Sequence, residues 1–208
     1  MNASDILIEI AEQAAVCTRC ELHYSRKQAV PGEGPAGAEI MFIGEGPGFH
    51  ENEQGRPFVG AAGKFLEELL ASISLTREQV YITNVVKCRP PGNRDPQHEE
   101  LQACSSYLER QIQAINPKMI VTLGRFSMAR FLPNAKISQV HGQAVRVRGR
   151  LVVPMYHPAA ALHQPSLRSV VEADFAQLPD LMSKAGDAQE YMPPSPSENQ
   201  NPEQLSLF

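Results

Sequence analysis

Four cysteines, Cys17-x-x-Cys20 near the start and Cys88 and Cys104 in the middle, are the chain's whole complement. Two pairs far apart in sequence can close around one metal centre and tie an N-terminal helix to the middle of a domain. Zinc and an iron–sulfur cluster both accept four thiolates, and spacing alone does not choose between them. Cys17 and Cys20 sit among Thr18, Arg19 and Glu21, a polar stretch unlike a core. Zinc is usually held by a tight knuckle on each side. Cys88 and Cys104 do not form one, which favours a [4Fe–4S] cluster in a structural role. Three other segments carry polar groups in unusual settings. They are the turn Gly44-Glu45-Gly46-Pro47-Gly48, the amide of Asn84, and Tyr156-His157-Pro158.

The elements around these segments follow from periodicity. Ile6, Leu7, Ile10 and Ala14 have helical spacing over residues 4–15, with Ser4 or Asp5 as the cap. Glu39–Ile43, Val80–Asn84 and Met119–Leu123 are short apolar runs of buried-strand type, and helices are predicted at 61–73, 97–115 and 125–132. Val145–Val147 and Leu151–Met155 flank Arg148-Gly149-Arg150, a hairpin signal, and a last helix covers 168–183. Repeated strand–turn–helix units imply an α/β fold with a mainly parallel sheet covered on both faces. Ligands of such sheets bind at the carboxyl ends of the strands. The Gly-rich turn, Asn84 and His157 all follow strands, so they converge on one edge.

A hydrophobic content of 42% supplies one core for a chain of 208 residues. No apolar run reaches membrane-spanning length and no leader opens the chain, so a cytoplasmic protein without membrane contact is expected. The net charge of −4 is unevenly distributed. Residues 1–16 hold three acids and residues 185–208 four, with no Lys or Arg in either. Residues 17–184 therefore carry 19 bases against 16 acids. That balance permits a nucleic-acid-facing patch.

Five motifs occur in order: Gly44–Gly48, Gly55-Arg-Pro-Phe-Val-Gly60, Thr83-Asn84, Lys87-Cys-Arg-Pro-Pro-Gly-Asn-Arg94 and His157-Pro-Ala-Ala160. Together with the four cysteines, they resemble the family 4 (iron–sulfur) uracil-DNA glycosylases over about residues 15–180. The resemblance implies a three-layer α/β/α sandwich around a mainly parallel four-stranded sheet. It implies an enzyme that flips uracil out of DNA and hydrolyses its N-glycosidic bond. Phe58 would stack on the flipped base, the turn around Gly46 would contact it, and Asn84 would pair with O4 and N3–H. Cytosine presents the opposite donor and acceptor there, so one fixed amide rejects it. His157 would donate to O2 and stabilise the uracil anion. On the sugar side a carboxylate is wanted; Glu45 is the first candidate and Glu51 the second.

By the same resemblance Leu162 is a wedge for the space uracil vacates, and His163 stands where family members often carry Arg. Arg89, Asn93 and Arg94 are expected DNA-backbone contacts. One superfamily relative binds uracil-DNA covalently through a histidine in an inserted basic loop. This chain has Pro90–Arg94 there and no insertion, so turnover is expected. From about Ala185 to Glu203 the chain is rich in Pro, Ser, Asn, Gln and acid, a composition expected to stay disordered. It ends in Gln204-Leu205-Ser206-Leu207-Phe208, which resembles the peptide by which bacterial DNA-maintenance enzymes dock on the replicative sliding clamp. The organisation expected is thus a domain at 1–184, a linker at 185–203 and a clamp-binding peptide at 204–208, working as a monomer on uracil-containing DNA.

Two other classes compete. A nucleotide- or flavin-binding domain would explain a Gly-rich turn after a strand, but G-x-G-x-x-G spacing is absent and no acid ends the next strand. A clamp-bound DNA-binding protein without activity would leave Asn84 and His157 without roles.

Overall fold

The computed structural model describes residues 2–193. The expected clamp peptide at 204–208 lies outside them. Five strands form one sheet: β1 (Ile40–Gly44), β2 (Tyr81–Asn84), β3 (Met119–Leu123), β4 (Val145–Val147) and β5 (Arg150–Met155), in the order β2-β1-β3-β5-β4. The first four in that order are parallel, and β4 pairs antiparallel with β5 at the edge. The sheet thus has five strands where four were expected. The fifth is the first arm of the hairpin, whose turn residues Arg148 and Gly149 both have positive φ (50° and 77°), as a two-residue hairpin turn requires.

The ten α-helices are α1 (Ala3–Ala15), α2 (Leu22–Ser25), α3 (Phe49–Gln54), α4 (Ala61–Ser72), α5 (His98–Ile115), α6 (Arg125–Ala129), α7 (Ile137–Val140), α8 (Pro158–His163), α9 (Arg168–Ala176) and α10 (Leu178–Ser183), among the described residues. Alternation along β1 divides the core into layers. Phe42 packs with Phe65, Leu66, Leu69 and Phe175 on the face covered by α4 and α8 to α10. Met41 and Ile43 meet Leu108, Ile115 and Met128 on the face covered by α5 and α6. This is the three-layer sandwich expected. Burying each such side chain contributes roughly 1.5–3 kcal/mol. A third cluster, outside α5, joins Ile10 and Ala14 of α1 to Leu22, Val86, Tyr107 and two of the cysteines.

Several boundaries differ from expectation for local reasons. The cap of α1 is Asn2, which exchanges hydrogen bonds with Asp5 (2.9 and 3.0 Å) in a capping box. The predicted helix at 168–183 is two, because Pro179 has no N–H to give and a new helix starts around it. α6 stops early, just ahead of Leu132-Pro133, where the residue before proline resists helical geometry. The stretch from Ala185, expected to be structureless, instead lies along β4 as far as Tyr191. Arg146 N–H donates to Gln189 O and Tyr191 N–H to Arg146 O, both at 2.7 Å. Tyr191 anchors it, its hydroxyl donating to Pro133 O at 2.6 Å and its ring packing on the core. No described helix is long and apolar enough to cross a membrane.

Candidate active site at the carboxyl edge of the sheet

Register places Gly44 of β1 directly beside Asn84 of β2, while β3 and β5 end together at Leu123 and Met155. The Gly-rich turn, Asn84 and His157 therefore leave the sheet on the same edge. Asn84 is 1% exposed, and its Oδ1 is one of three buried side-chain polar atoms without a partner among the described residues. Such an atom in a folded interior calls for a donor from elsewhere. Gly44 makes room for it: a Cβ there would lie 2.4 Å from Asn84 Oδ1 and 2.7 Å from the Phe58 ring.

Phe58 stacks on His157 with ring centroids 5.5 Å apart and planes 23° from parallel. Its backbone sits in the left-handed region at φ 52°, a strained position for an aromatic residue. Arg77 holds it there, donating to Phe58 O (2.7 Å) and Pro57 O (2.6 Å). Gly63 completes the clamp, since a Cβ on it would fall 1.9 Å from Phe58 O. Nothing in the sequence marked Arg77 for this work.

His157 caps α8, its Nδ1 accepting from Ala159 N–H at 3.1 Å. That bond leaves the proton on Nε2, free to donate outward. The enclosed ring is held down to a pKa of about 4 by burial, with Glu51 acting in the opposite sense. The imidazole is therefore neutral at physiological pH. Glu45 is shifted the other way, up to about 7, by burial first and the Asp95 carboxylate second, against the pull of Arg125. Glu51 is engaged elsewhere. Its Oε1 accepts from Val59 N–H (2.8 Å) and Gly60 N–H (2.9 Å) and its Oε2 from Gly48 N–H (3.1 Å). It lashes the Gly-rich turn to the segment carrying Phe58. Gly46 sits in that turn against Val86 and Pro90.

The expected DNA contacts divide. Leu162 is 42% exposed and His163 is exposed, both on α8, the helix that starts at His157. Arg89 Nε donates to Asn93 Oδ1 at 2.7 Å, and its guanidinium lies over the ring of Phe49 at 5.3 Å. Phe49 was not foreseen; it is 53% exposed beside the Gly-rich turn, a position where an aromatic buries little. Arg94, by contrast, forms a bidentate pair with the buried Glu100 (2.6 and 2.9 Å), which also caps α5 through Gln97 N–H. Its own side chain stays 36% exposed while it makes that pair.

All four cysteines line one cavity, together with Arg26, Lys87 and Tyr107. Arg26 Nη1 donates to Cys88 Sγ at 3.6 Å and the Lys87 N–H to Cys104 Sγ at 3.3 Å, donors placed as a thiolate wants them. Burial pushes the Cys104 thiol up to about 11, a shift that a bound cation reverses. No three described His, Cys, Asp or Glu side chains are grouped to hold a single metal ion. The four sulfurs around one cavity fit a polynuclear cluster, which spreads its thiolates wider than one ion does.

A doubly covered, mainly parallel sheet thus gathers an amide, a neutral imidazole, a carboxylate and an aromatic ring at its carboxyl edge. The chain belongs to the uracil DNA glycosylase superfamily, which matches residues 31–178. It is 49% identical over 189 residues to the type-4 uracil-DNA glycosylase of Sulfurisphaera tokodaii, covering 85% of each chain. Identity to the type-4 enzyme of Archaeoglobus fulgidus is 49% over 188 residues, 86% of this chain and 94% of that one. The type-4 enzyme of Thermotoga maritima matches at 43% over 192 residues, 89% of this chain and all of the other.

Proposed function

We propose that the protein is a uracil-DNA glycosylase of type 4, hydrolysing the bond between uracil and deoxyribose and leaving an abasic site. The observation that carries this reading is the buried, unpartnered Oδ1 of Asn84, which shares the space over Gly44 with the ring of Phe58. Uracil supplies the missing donor at N3–H, and the Asn84 NH2 gives a bond to O4. Phe58 covers the ring, and His157 Nε2–H donates to O2. As the C1′–N1 bond breaks, its electron pair goes to uracil, whose anion the neutral His157 stabilises through that hydrogen bond. A water oriented by the Glu45 carboxylate attacks the cationic C1′ and passes its proton to that carboxylate, which until then offsets the sugar's charge. Glu51 braces the turn that carries Glu45. Alkali treatment of a single-uracil oligonucleotide after incubation should cleave the strand at U and not at T or C. An intact strand would refute the reading.

The carboxylate is the working form of Glu45, so activity should rise with pH through an inflection near 7. His157, neutral above about 4, adds no inflection there. In Glu45→Gln the rate should fall by about 10²-fold and the inflection vanish. The sign for stability is opposite. A raised carboxyl pKa gives stability that is full below the unfolded value and lost as pH rises through the folded one. Glu45→Gln should therefore melt higher than wild type at pH 8.

The cysteine cavity supports a [4Fe–4S] cluster held by Cys17, Cys20, Cys88 and Cys104, which when bound supplies a covalent brace between α1, the segment after β2 and α5. Cys104→Ala should lose the broad visible absorbance of the purified protein and lower the melting temperature by roughly 10 °C or more. Arg89, Asn93, Leu162 and His163 are the groups we assign to the DNA, with Phe49 beside them. Arg94, paired with Glu100 but still 36% exposed, stands with them.

Composition and the Leu-Ser-Leu-Phe ending support docking of Gln204–Phe208 on the sliding clamp of a bacterial cytoplasm. Such a tether raises local concentration near new DNA without touching the active site. Removing residues 204–208 should abolish clamp binding in a pull-down and change excision on short oligonucleotides by less than about twofold.

A further inference from the structure

Lys87 is 1% exposed and touches no catalytic side chain, yet its Nζ is fully used. Nζ donates to Thr83 Oγ1 (2.6 Å), Gln111 Oε1 (2.7 Å) and the Asn84 main-chain oxygen (2.8 Å). None of the three partners is a carboxylate. Burying a lysine this way is expensive for a fold, and one with no salt-bridge partner calls for a reason.

The reason lies in strand geometry. Successive residues of a strand point their peptide groups to opposite sides. Ile82 turns its N–H and C=O away from β1 and bonds Glu33 on the outer side, at 2.8 and 2.9 Å. Val85 N–H turns inward, to Gly44 O at 3.0 Å. Asn84, two residues from Ile82, therefore faces outward, where the isolated bridge to Glu33 no longer reaches. Its carbonyl would end β2 unpaired. Lys87 curls back beneath the strand and supplies the donor that a neighbouring strand would have given.

The anchor is itself anchored. Gln111 of α5 donates to Pro31 O (2.7 Å) and to the Tyr81 hydroxyl (3.1 Å), and Thr83 Oγ1 donates to Pro31 O (2.8 Å). The peptide from which the Asn84 amide projects is thus locked to α5, to the segment before β1 and to its own strand.

We infer that Lys87 is a positioning residue for uracil recognition, its Nζ holding the Asn84 peptide so that the side-chain amide meets the base in one orientation. The inference rests on the glycosylase reading above. A loosened amide that wanders by about 1 Å can lose on the order of 10²-fold in rate.

The test is a double-mutant cycle on the cluster-containing protein, read as single-turnover kcat/KM on uracil DNA with visible absorbance followed in parallel. Lys87→Met should lower kcat/KM by about 10- to 100-fold in the wild-type background and by less than about twofold in Asn84→Ala, with absorbance retained. Equal losses in both backgrounds would mean that Lys87 acts on the fold at large, and would overturn the inference. Should Lys87→Met fail to fold, the near-isosteric Thr83→Val removes the shortest of the three bonds and enters the same cycle with the same criterion. Additive losses in an active wild-type enzyme sink Lys87 alone. A wild type that releases no uracil sinks the glycosylase reading, and this inference with it.

Discussion

Replacing His157 by Asn should lower kcat on uracil DNA by about 10²–10³-fold while leaving the melting temperature nearly unchanged. Asn is chosen because His157 does two things. Its Nδ1 caps α8 through Ala159 N–H, and Asn is among the best residues at such a position. What Asn lacks is the reach to place a donor where Nε2–H stands. The cap survives and the anion loses its hydrogen bond. Stopped-time excision at saturating DNA gives kcat, and thermal melting checks the fold. A kcat within threefold of wild type would remove His157 from the chemistry. The loss should also be insensitive to pH between 6 and 9, because an imidazole held at about 4 is neutral throughout that range.

The largest effect is expected at Asn84. In Asn84→Asp a donor becomes a second acceptor at a position 1% exposed, so the oxygen facing uracil O4 meets another oxygen. A site built around a specific hydrogen bond rejects a ligand that cannot complete it by factors of about 10⁴–10⁵. Uracil excision by the variant should fall by about 10³–10⁴-fold, and the ratio of uracil to cytosine release should collapse, since the cytosine amine can now find an acceptor. Rates on matched oligonucleotides containing U or C at one position measure that ratio. An unchanged preference would show that Asn84 does not read the base.

What the sequence disclosed about this molecule follows from how local each signal is. The run Glu39–Ile43 reads as a buried strand because every residue but the first is apolar, and the structure sets the strand one residue later, at Ile40–Gly44, burying all but its first residue. The convergence of the Gly-rich turn, Asn84 and His157 was legible from a general property of parallel sheets, and register confirms it. The four cysteines were found by counting, and one cavity gathers them. What was hidden depends on distant partners. Arg94 looks like a surface base in a Pro-Gly-Asn-Arg loop; only the fold shows Glu100 beneath it. Glu51 and Glu45 are equivalent as letters, and hydrogen bonds from three backbone amides to Glu51 alone separate their surroundings. Lys87 gives no sign of burial, because a lysine among motif residues ordinarily faces water. The pairing of Arg146 with residues 189–191 was missed for a related reason, since one tyrosine in a polar, proline-rich segment supplies the contact.

The left-handed backbone at Phe58 sets two demands on one position that no natural side chain meets together. Only glycine relaxes a φ of 52° without strain, and glycine has no ring to lay against a base. Stability alone would favour glycine there, and keeping the aromatic carries a cost of about 1 kcal/mol. Because Arg77 and Gly63 impose that conformation from either side, the three positions are mechanically one unit. A lineage that kept the fold but gave up the base would be free to lose all three.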